Sequence, residues 1–175
     1  MSDIFSLSSN QGQKDTSEVL YFAYGSNMEK NQLDNRCPSA KFVSIAKLPD
    51  CKFGFTRYSK NRNCGVMDII DSPGDEVWGV IFKISARDLK ELDKKEGYDP
   101  ERSIEKNAYC RKKVTVYREG KEKHKEVVYT YEVMNKSITP IPPSNEYMSL
   151  ILKGADQWKL PVKYIQKLSQ TLSNQ

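Results

Sequence analysis

The sequence predicts a mixed α+β domain, a small barrel-like β-sheet with helices packed outside it. Three observations predict this. Short aromatic and β-branched runs outnumber the segments with helical periodicity. Two of those runs, 109–117 and 127–133, flank a charged turn at 118–126 and read as a hairpin. No internal repeat or low-complexity linker divides the 175 residues, a length suited to one domain. Hydrophobic content is only 38%, but ten Tyr, six Phe and two Trp can fill a core.

Residues 1–17 are polar and patternless and are expected to form a flexible arm before a single domain at 18–175. Val19 to Tyr24 is too short and too aromatic for a helix and reads as a buried strand. It ends at Gly25-Ser26-Asn27, where Ser26 or Asn27 can cap a short helix over 28–36. Strands follow at 41–46, 52–57 and 64–70, then a turn signal at Asp71-Ser72-Pro73-Gly74-Asp75 and an apolar strand at 77–84. Ser85 and Asp88 resemble a capping box for a helix running to about Glu96, with Gly97 as its C-cap. Residues 98–107 form an irregular charged loop, and Pro140 to Pro143 break the chain after the hairpin. Helices are expected at 145–153 and 162–172. The second has Pro161 in its first turn and an apolar stripe of Val162, Ile165, Leu168 and Leu172.

Composition excludes several function classes. Lys and Arg number 28 against 23 Asp and Glu, a net charge of +5 with mixed signs, which does not favour nucleic acid as a partner. The basic hairpin residues Arg111, Lys112, Lys113, Lys121, Lys123 and Lys125 are interrupted by Glu119, Glu122 and Glu126 and read as a solvated tip. No run approaches the ~20 apolar residues of a membrane span, and the N-terminus lacks the pattern of a signal peptide. A cytoplasmic protein with reduced thiols is expected. Cys37, Cys51, Cys64 and Cys110 form no CxxC pair, which argues against zinc. The single histidine, His124, sits in the charged turn, so a histidine-based hydrolase is not expected.

Three groups could carry chemistry. The turn Tyr24-Gly25-Ser26-Asn27 joins a buried strand to a helix start, offering short polar side chains and unpaired N–H groups to a carboxylate or oxyanion. It could equally be a plain capped turn. At about 100° per residue, Glu96 falls about 20° from Leu89, on the apolar stripe completed by Leu92. Asp93 lies at the stripe's edge. Burial and the negative end of the helix dipole would both raise the Glu96 carboxyl towards neutrality, the range a general acid/base needs. Alternatively the helix frays and the side chain reaches water. Tyr129 and Tyr131 share one face of their strand, and Tyr109 lies on its neighbour. Each can line a pocket or simply pack.

With these residues placed, the chain resembles the γ-glutamylcyclotransferases. The resemblance rests on Leu20-Tyr21-Phe22-Ala23-Tyr24-Gly25-Ser26-Asn27, on Ser72-Pro73-Gly74-Asp75-Glu76-Val77-Trp78-Gly79-Val80 and on Leu92-Asp93-Lys94-Lys95-Glu96-Gly97. The Tyr131 strand, Pro142-Pro143-Ser144 and Gly154-Ala155 extend it over about 19 to 168. It implies a small mixed α/β barrel that needs no metal or organic cofactor. The implied activity converts γ-glutamyl-amino acids into 5-oxoproline and a free amino acid. Glu96 becomes the proton-transfer residue, Tyr21, Phe22, Ala23, Tyr24, Gly25, Ser26 and Asn27 bind the glutamyl part, and Tyr131, with Tyr109 beside it, faces the cavity. The loop after Gly97 is longer than in vertebrate members and is expected to cover the pocket. The expected partner is a small γ-glutamyl substrate, with a homodimer the one assembly left open. A γ-glutamylamine or secondary-metabolite cyclotransferase, or a non-catalytic binding module of the same fold, are the competing readings.

Overall fold

The computed structural model describes residues 17–173. Five strands and four α-helices follow in the order β1 (Glu18–Ala23), α1 (Lys30–Arg36), β2 (Lys41–Ser59), β3 (Cys64–Ser85), α2 (Ala86–Glu96), β4 (Tyr109–Arg118), β5 (Lys125–Val133), α3 (Asn145–Gln157) and α4 (Val162–Ser173). The strands close into a barrel in the order β1-β3-β2-β4-β5. Every neighbouring pair is antiparallel except the β1–β5 seam, where Tyr21 faces Tyr129 in parallel. That short seam gains side-chain bonds: the Thr130 hydroxyl donates to the Phe22 carbonyl at 2.9 Å, and the Tyr24 hydroxyl to the Tyr131 carbonyl at 2.7 Å. Of the expected arm, residues 1–16 lie outside the described residues. The Ser17 carbonyl accepts from the Ala86 N–H at 2.9 Å.

Two expected strand pairs are each one long strand. The segments at 41–46 and 52–57 join as β2, and those at 64–70 and 77–84 join as β3. The turn chemistry at 72–75 is present but does not reverse the chain. Pairing steps from Pro49–Glu76 to Cys51–Asp71, so four residues of β3 bulge opposite Asp50 alone. Gly74 adopts φ +83° there, and its N–H donates to the Asp50 carboxylate at 2.9 Å. Turn residues can thus serve a bulge when both flanks keep their partner strand.

Helix α2 is capped as expected at both ends. The Ser85 hydroxyl accepts from the Asp88 N–H at 3.1 Å, and Gly97 takes the left-handed conformation, φ +68°. The return arm of the box runs through Ser39: its hydroxyl donates to Asp88 at 2.5 Å and accepts from the Ser85 N–H at 2.8 Å. Ser26 and Asn27, by contrast, do not cap α1. They lie in a 3₁₀ turn, Ser26–Met28, and the Glu29 carboxylate caps α1 by accepting from the Gln32 N–H at 2.8 Å. Their side chains are thereby free for other work. In α4 the inward residues are Tyr164 and Leu168. Val162 is 70% exposed, so the expected stripe is rotated, and the Leu172 side chain lies outside the described residues.

Helix α3 is longer than the expected 145–153 and sits directly on the 26–28 turn. The Ser144 hydroxyl caps it, accepting from the Tyr147 N–H at 3.1 Å. The Trp158 indole donates to the Met28 carbonyl at 2.7 Å, and Lys153 pairs with Glu29 at 2.8 Å. Contact is this close because residue 154 is glycine: a Cβ there would stand 2.7 Å from the Glu29 nitrogen and the Met28 carbonyl carbon. Gly154→Ala should therefore lower the melting temperature by about 3–6 °C. Helix propensity favours alanine by about 1 kcal/mol, but backbone overlap costs roughly 1–3 kcal/mol and pushes the turn aside. Thermal unfolding by circular dichroism checks the sign.

Candidate active site

One end of the barrel opens into a cavity of about 440 Å³ between the 24–27 turn, the β2–β3 tip, the end of α2 and the start of α3. Glu96 stands on its wall, its side chain only 15% exposed. The helix does not fray before it: α2 runs through Glu96, and Leu89 and Leu92 are buried on the same side. The Glu96 Oε1 accepts from Asn27 Nδ2 at 3.2 Å and from the Arg36 guanidinium at 3.3 Å. Burial raises this carboxyl above the ordinary carboxylate value. The Arg36 charge, the Asn27 hydrogen bond and the Arg62 charge act in the opposite sense.

Asn27 is the hub of the turn. Its amide nitrogen donates to Glu96 and, at 2.9 Å, to the Tyr21 hydroxyl. Its carbonyl oxygen accepts from Gln32 Nε2 at 3.0 Å and from Arg36 at 2.9 Å. Both ends of the amide are thus occupied, which fixes its orientation. The Ser26 hydroxyl oxygen accepts from Gln32 at 2.9 Å and from Arg62 at 3.4 Å, and the hydroxyl also hydrogen-bonds the Tyr147 phenol.

Tyrosines form much of the remaining wall. Tyr21, Tyr24, Tyr109, Tyr131 and Tyr147 all reach the cavity. Tyr21 and Tyr131 meet edge to face at 6.0 Å. The Tyr131 hydroxyl donates to Asp93 Oδ1 at 2.6 Å, and Arg111 donates to Asp93 Oδ2 at 2.6 Å. Asp93 thus orients a pocket tyrosine from behind. Burial pushes the phenols of Tyr21, Tyr109 and Tyr131 far up, assisted at Tyr21 and Tyr109 by the Glu96 charge and at Tyr131 by the bond to Asp93. They remain neutral throughout the physiological range.

Of the residues expected at the site, Glu96, Tyr21, Tyr24, Gly25, Ser26, Asn27, Tyr109 and Tyr131 converge on this cavity. Phe22 and Ala23, 0% and 1% exposed, belong to the core and fix the strand. Tyr129 lies outside it, beneath Arg111 and Lys113 at 5.2 and 5.3 Å. The loop 98–107 supplies no lining residue. Asn107 ties its ends, accepting from the Asp99 N–H at 2.9 Å and donating to the Asp99 carbonyl at 3.2 Å, and Tyr98 packs under Arg111. Sequence reasoning missed Arg36, Arg57, Arg62 and Tyr147. Each lies in a helix, strand or turn with no motif of its own, and only the fold brings them together. The Tyr147 hydroxyl accepts from the Met67 N–H at 3.0 Å, and burial pushes its phenol up to about 12.

The four thiols are free, with Cys37, Cys51 and Cys64 buried. His124 is exposed in the hairpin turn. The hairpin cations are largely paired: Lys112 with Glu132, Arg118 with Glu126 at 2.6 Å, and Lys121 with Glu119 at 2.5 Å. Among the described residues no helix is long and apolar enough to cross a membrane.

The sequence and the fold both match known proteins. The model of the AIG2-like family matches residues 76–168. The γ-glutamylcyclotransferase of Bos taurus is 37% identical over 166 residues, covering 92% of this chain and 82% of its own. That of Homo sapiens is 35% identical, covering 91% and 84%. A solved structure of a γ-glutamyl cyclotransferase superposes with a TM-score of 0.77 at 35% identity, covering 87% of each chain.

Arg36 lowers the Glu96 pKa, so its removal has a definite sign. In an NMR titration of the side-chain carboxyls, Glu96 should titrate above the usual ~4.3. Arg36→Met should move that midpoint higher still, and a downward movement would contradict the arrangement described.

Proposed function

The chain belongs to the γ-glutamylcyclotransferase family, and from that membership and the cavity's geometry we infer how its residues release 5-oxoproline. The substrate supplies its own nucleophile. Its α-amine attacks its γ-carbonyl carbon, a five-membered ring closes, the amide C–N bond breaks, and the former amide nitrogen leaves as a free amine. No protein nucleophile takes part. The protein's tasks are to fold the glutamyl chain back on itself, to move two protons in turn from the attacking to the departing nitrogen and to stabilise charge on the carbonyl oxygen.

Glu96 moves both protons. As a carboxylate it takes a proton from the α-ammonium, which frees the attacking lone pair. The resulting carboxylic acid gives that proton to the departing nitrogen as the C–N bond breaks. The re-formed carboxylate then takes the second proton that the attacking nitrogen must shed to become the lactam N–H and passes it to the free amine, which leaves as an ammonium. Glu96 is thus ionised again at the end of the cycle. Its Oε1 is held by Asn27 and Arg36, which stabilise the anion whenever it stands ready to accept a proton. A carboxyl raised by burial but partly restrained by an arginine is suited both to accept and to return a proton. Tyr21, Tyr109 and Tyr131 shape the space around the folded glutamyl chain. The Ser26 hydroxyl and the first N–H groups of the 26–28 turn face the carboxylate and the developing oxyanion.

The observation that carries this reading is the position of Glu96: a nearly buried carboxyl on the cavity wall, bonded to the very turn that would hold the glutamyl group. The test is release of 5-oxoproline from γ-glutamyl dipeptides, followed by mass spectrometry. Glu96→Gln should keep the fold and bind substrate with similar affinity while losing at least about 10³-fold in kcat. Because the base must be ionised, kcat/KM should fall as pH drops through the raised Glu96 pKa, giving an acid limb above the ordinary carboxylate range. A Glu96→Gln enzyme turning over within tenfold of wild type would remove Glu96 from the mechanism.

A further inference from the structure

The cavity holds more positive charge than its carboxyl requires. Arg36 is engaged by Glu96. Arg62, on the β2–β3 tip, feels Glu96 only at longer range, and its hydrogen-bond partners are neutral: it donates to Gln32 Oε1 at 2.6 Å and to the Ser26 hydroxyl at 3.4 Å, and its guanidinium lies 4.9 Å over the Tyr147 ring. Arg57 also lines the cavity, half-buried; among the described residues its guanidinium has no hydrogen-bond or ion-pair partner, and its charge acts on the neutral Tyr109 phenol. Two guanidinium groups with no anion in hydrogen-bond contact, in one partly enclosed pocket, can each take an anionic group of the ligand.

The fold places them on different elements. Arg62 is tied through Gln32 and Ser26 to the turn that receives the glutamyl part. Arg57 sits on β2 beside a bulge, where pairing steps from Phe55–Met67 to Arg57–Val66 and leaves Thr56 as an extra residue. A bulge resets the alternation of a strand and re-aims its side chains. Thr56 turns inward to donate to the buried Asp68 at 2.7 Å, and Arg57 lines the cavity in company with Val66, Met67 and Tyr109.

We propose that Arg57 is a specificity residue that binds the α-carboxylate of the departing amino acid, while Arg62 holds the α-carboxylate of the glutamyl group. The pair selects γ-glutamyl-α-amino acids, which carry two carboxylates, over γ-glutamyl-amines, which carry one. A planar guanidinium reads a carboxylate through two parallel hydrogen bonds, and an analogue lacking that group leaves the cation desolvated and unpaired.

The proposal rests on the cyclotransferase reading, and the experiment separates the two. γ-Glutamyl-alanine and γ-glutamyl-ethylamide differ only by the second carboxylate. Both are assayed for 5-oxoproline with wild type, Arg57→Met, Arg57→Lys and Arg62→Met. Their binding is measured by titration calorimetry on the same proteins carrying Glu96→Gln. Wild type should favour γ-glutamyl-alanine by on the order of 10²-fold in kcat/KM. Arg57→Met should bring that ratio to within a few-fold of one, and Arg57→Lys, which keeps the stem and charge, should restore part of it. Arg62→Met should slow both probes in parallel. A wild-type ratio near one, or an Arg57→Met that slows both probes equally, overturns the assignment. If neither probe yields 5-oxoproline, the cyclotransferase reading fails and calorimetry decides the carboxylate site alone. A binding preference removed by Arg57→Met upholds it, and equal or absent binding overturns it.

Discussion

The structure depends on keeping one carboxyl nearly dry without leaving it unsupported. Moving an ionised carboxylate out of water costs several kcal/mol after relaxation, and Glu96 sits at the end of a helix whose dipole adds to that cost. An unopposed group of this kind would stay protonated and useless as a base. A fully compensated one would be an ordinary salt bridge, too acidic to return its proton to an amine. The arrangement lies between: one arginine at 3.3 Å and one amide at 3.2 Å share a single carboxylate oxygen. Both contacts are longer than strong charge-assisted bonds, so burial still dominates the carboxyl's pKa.

That balance is only as good as the position of Asn27, and much of the surrounding fold fixes it. Glu29 caps α1, so neither Ser26 nor Asn27 is consumed by capping. Gln32 and Arg36, one turn apart on α1, grip the Asn27 carbonyl from below. From the other side, α3 presses the 26–28 turn through Gly154 and Trp158. The turn is therefore clamped between two helices, and the strand feeding it is locked by Thr130 and Tyr24 across the barrel seam. Tyr131 is held in the same spirit, with Asp93 and Arg111 behind it. Preorganisation of this kind lets a few polar groups act without reorganising during the reaction.

What the sequence made legible followed from strong local patterns. The hairpin, the α2 caps and the projection of Glu96 onto the Leu89–Leu92 stripe all rest on short-range periodicity, and the structure agrees with each. Local signals misled where a partner strand outweighed them. Ser72 to Asp75 looks like a reversal, yet pairing on both sides carries β3 straight through. Ser26 and Asn27 look like caps, yet Glu29 outcompetes them. The loop after Gly97 looks free to cover the pocket, yet Asn107 folds it back on itself. Arg57 and Arg62 carry no local signature at all. A half-buried arginine on a strand and another on a turn become a pair only when the barrel end assembles.

The division of labour between charge and shape follows from the reaction. A substrate that attacks itself needs no activated side chain, so the absence of a well-placed histidine costs nothing. What it does need is a particular fold-back of a flexible glutamyl chain, whose open forms are many and whose productive form is one. Orientation of an intramolecular attack can be worth several kcal/mol, and it must come from contacts at the ends of the chain, because the middle is only methylene groups. In the proposed mechanism Arg62 anchors the α-carboxylate and Glu96 meets the α-amine on the same carbon, while the Ser26 turn meets the γ-carbonyl at the other end. Neutral tyrosines fill the space between: they confine methylenes without competing for the charged ends, and burial keeps their phenols from ionising beside Glu96. Charge at the ends and aromatic walls in the middle is the arrangement that favours the closed conformer over the open ones.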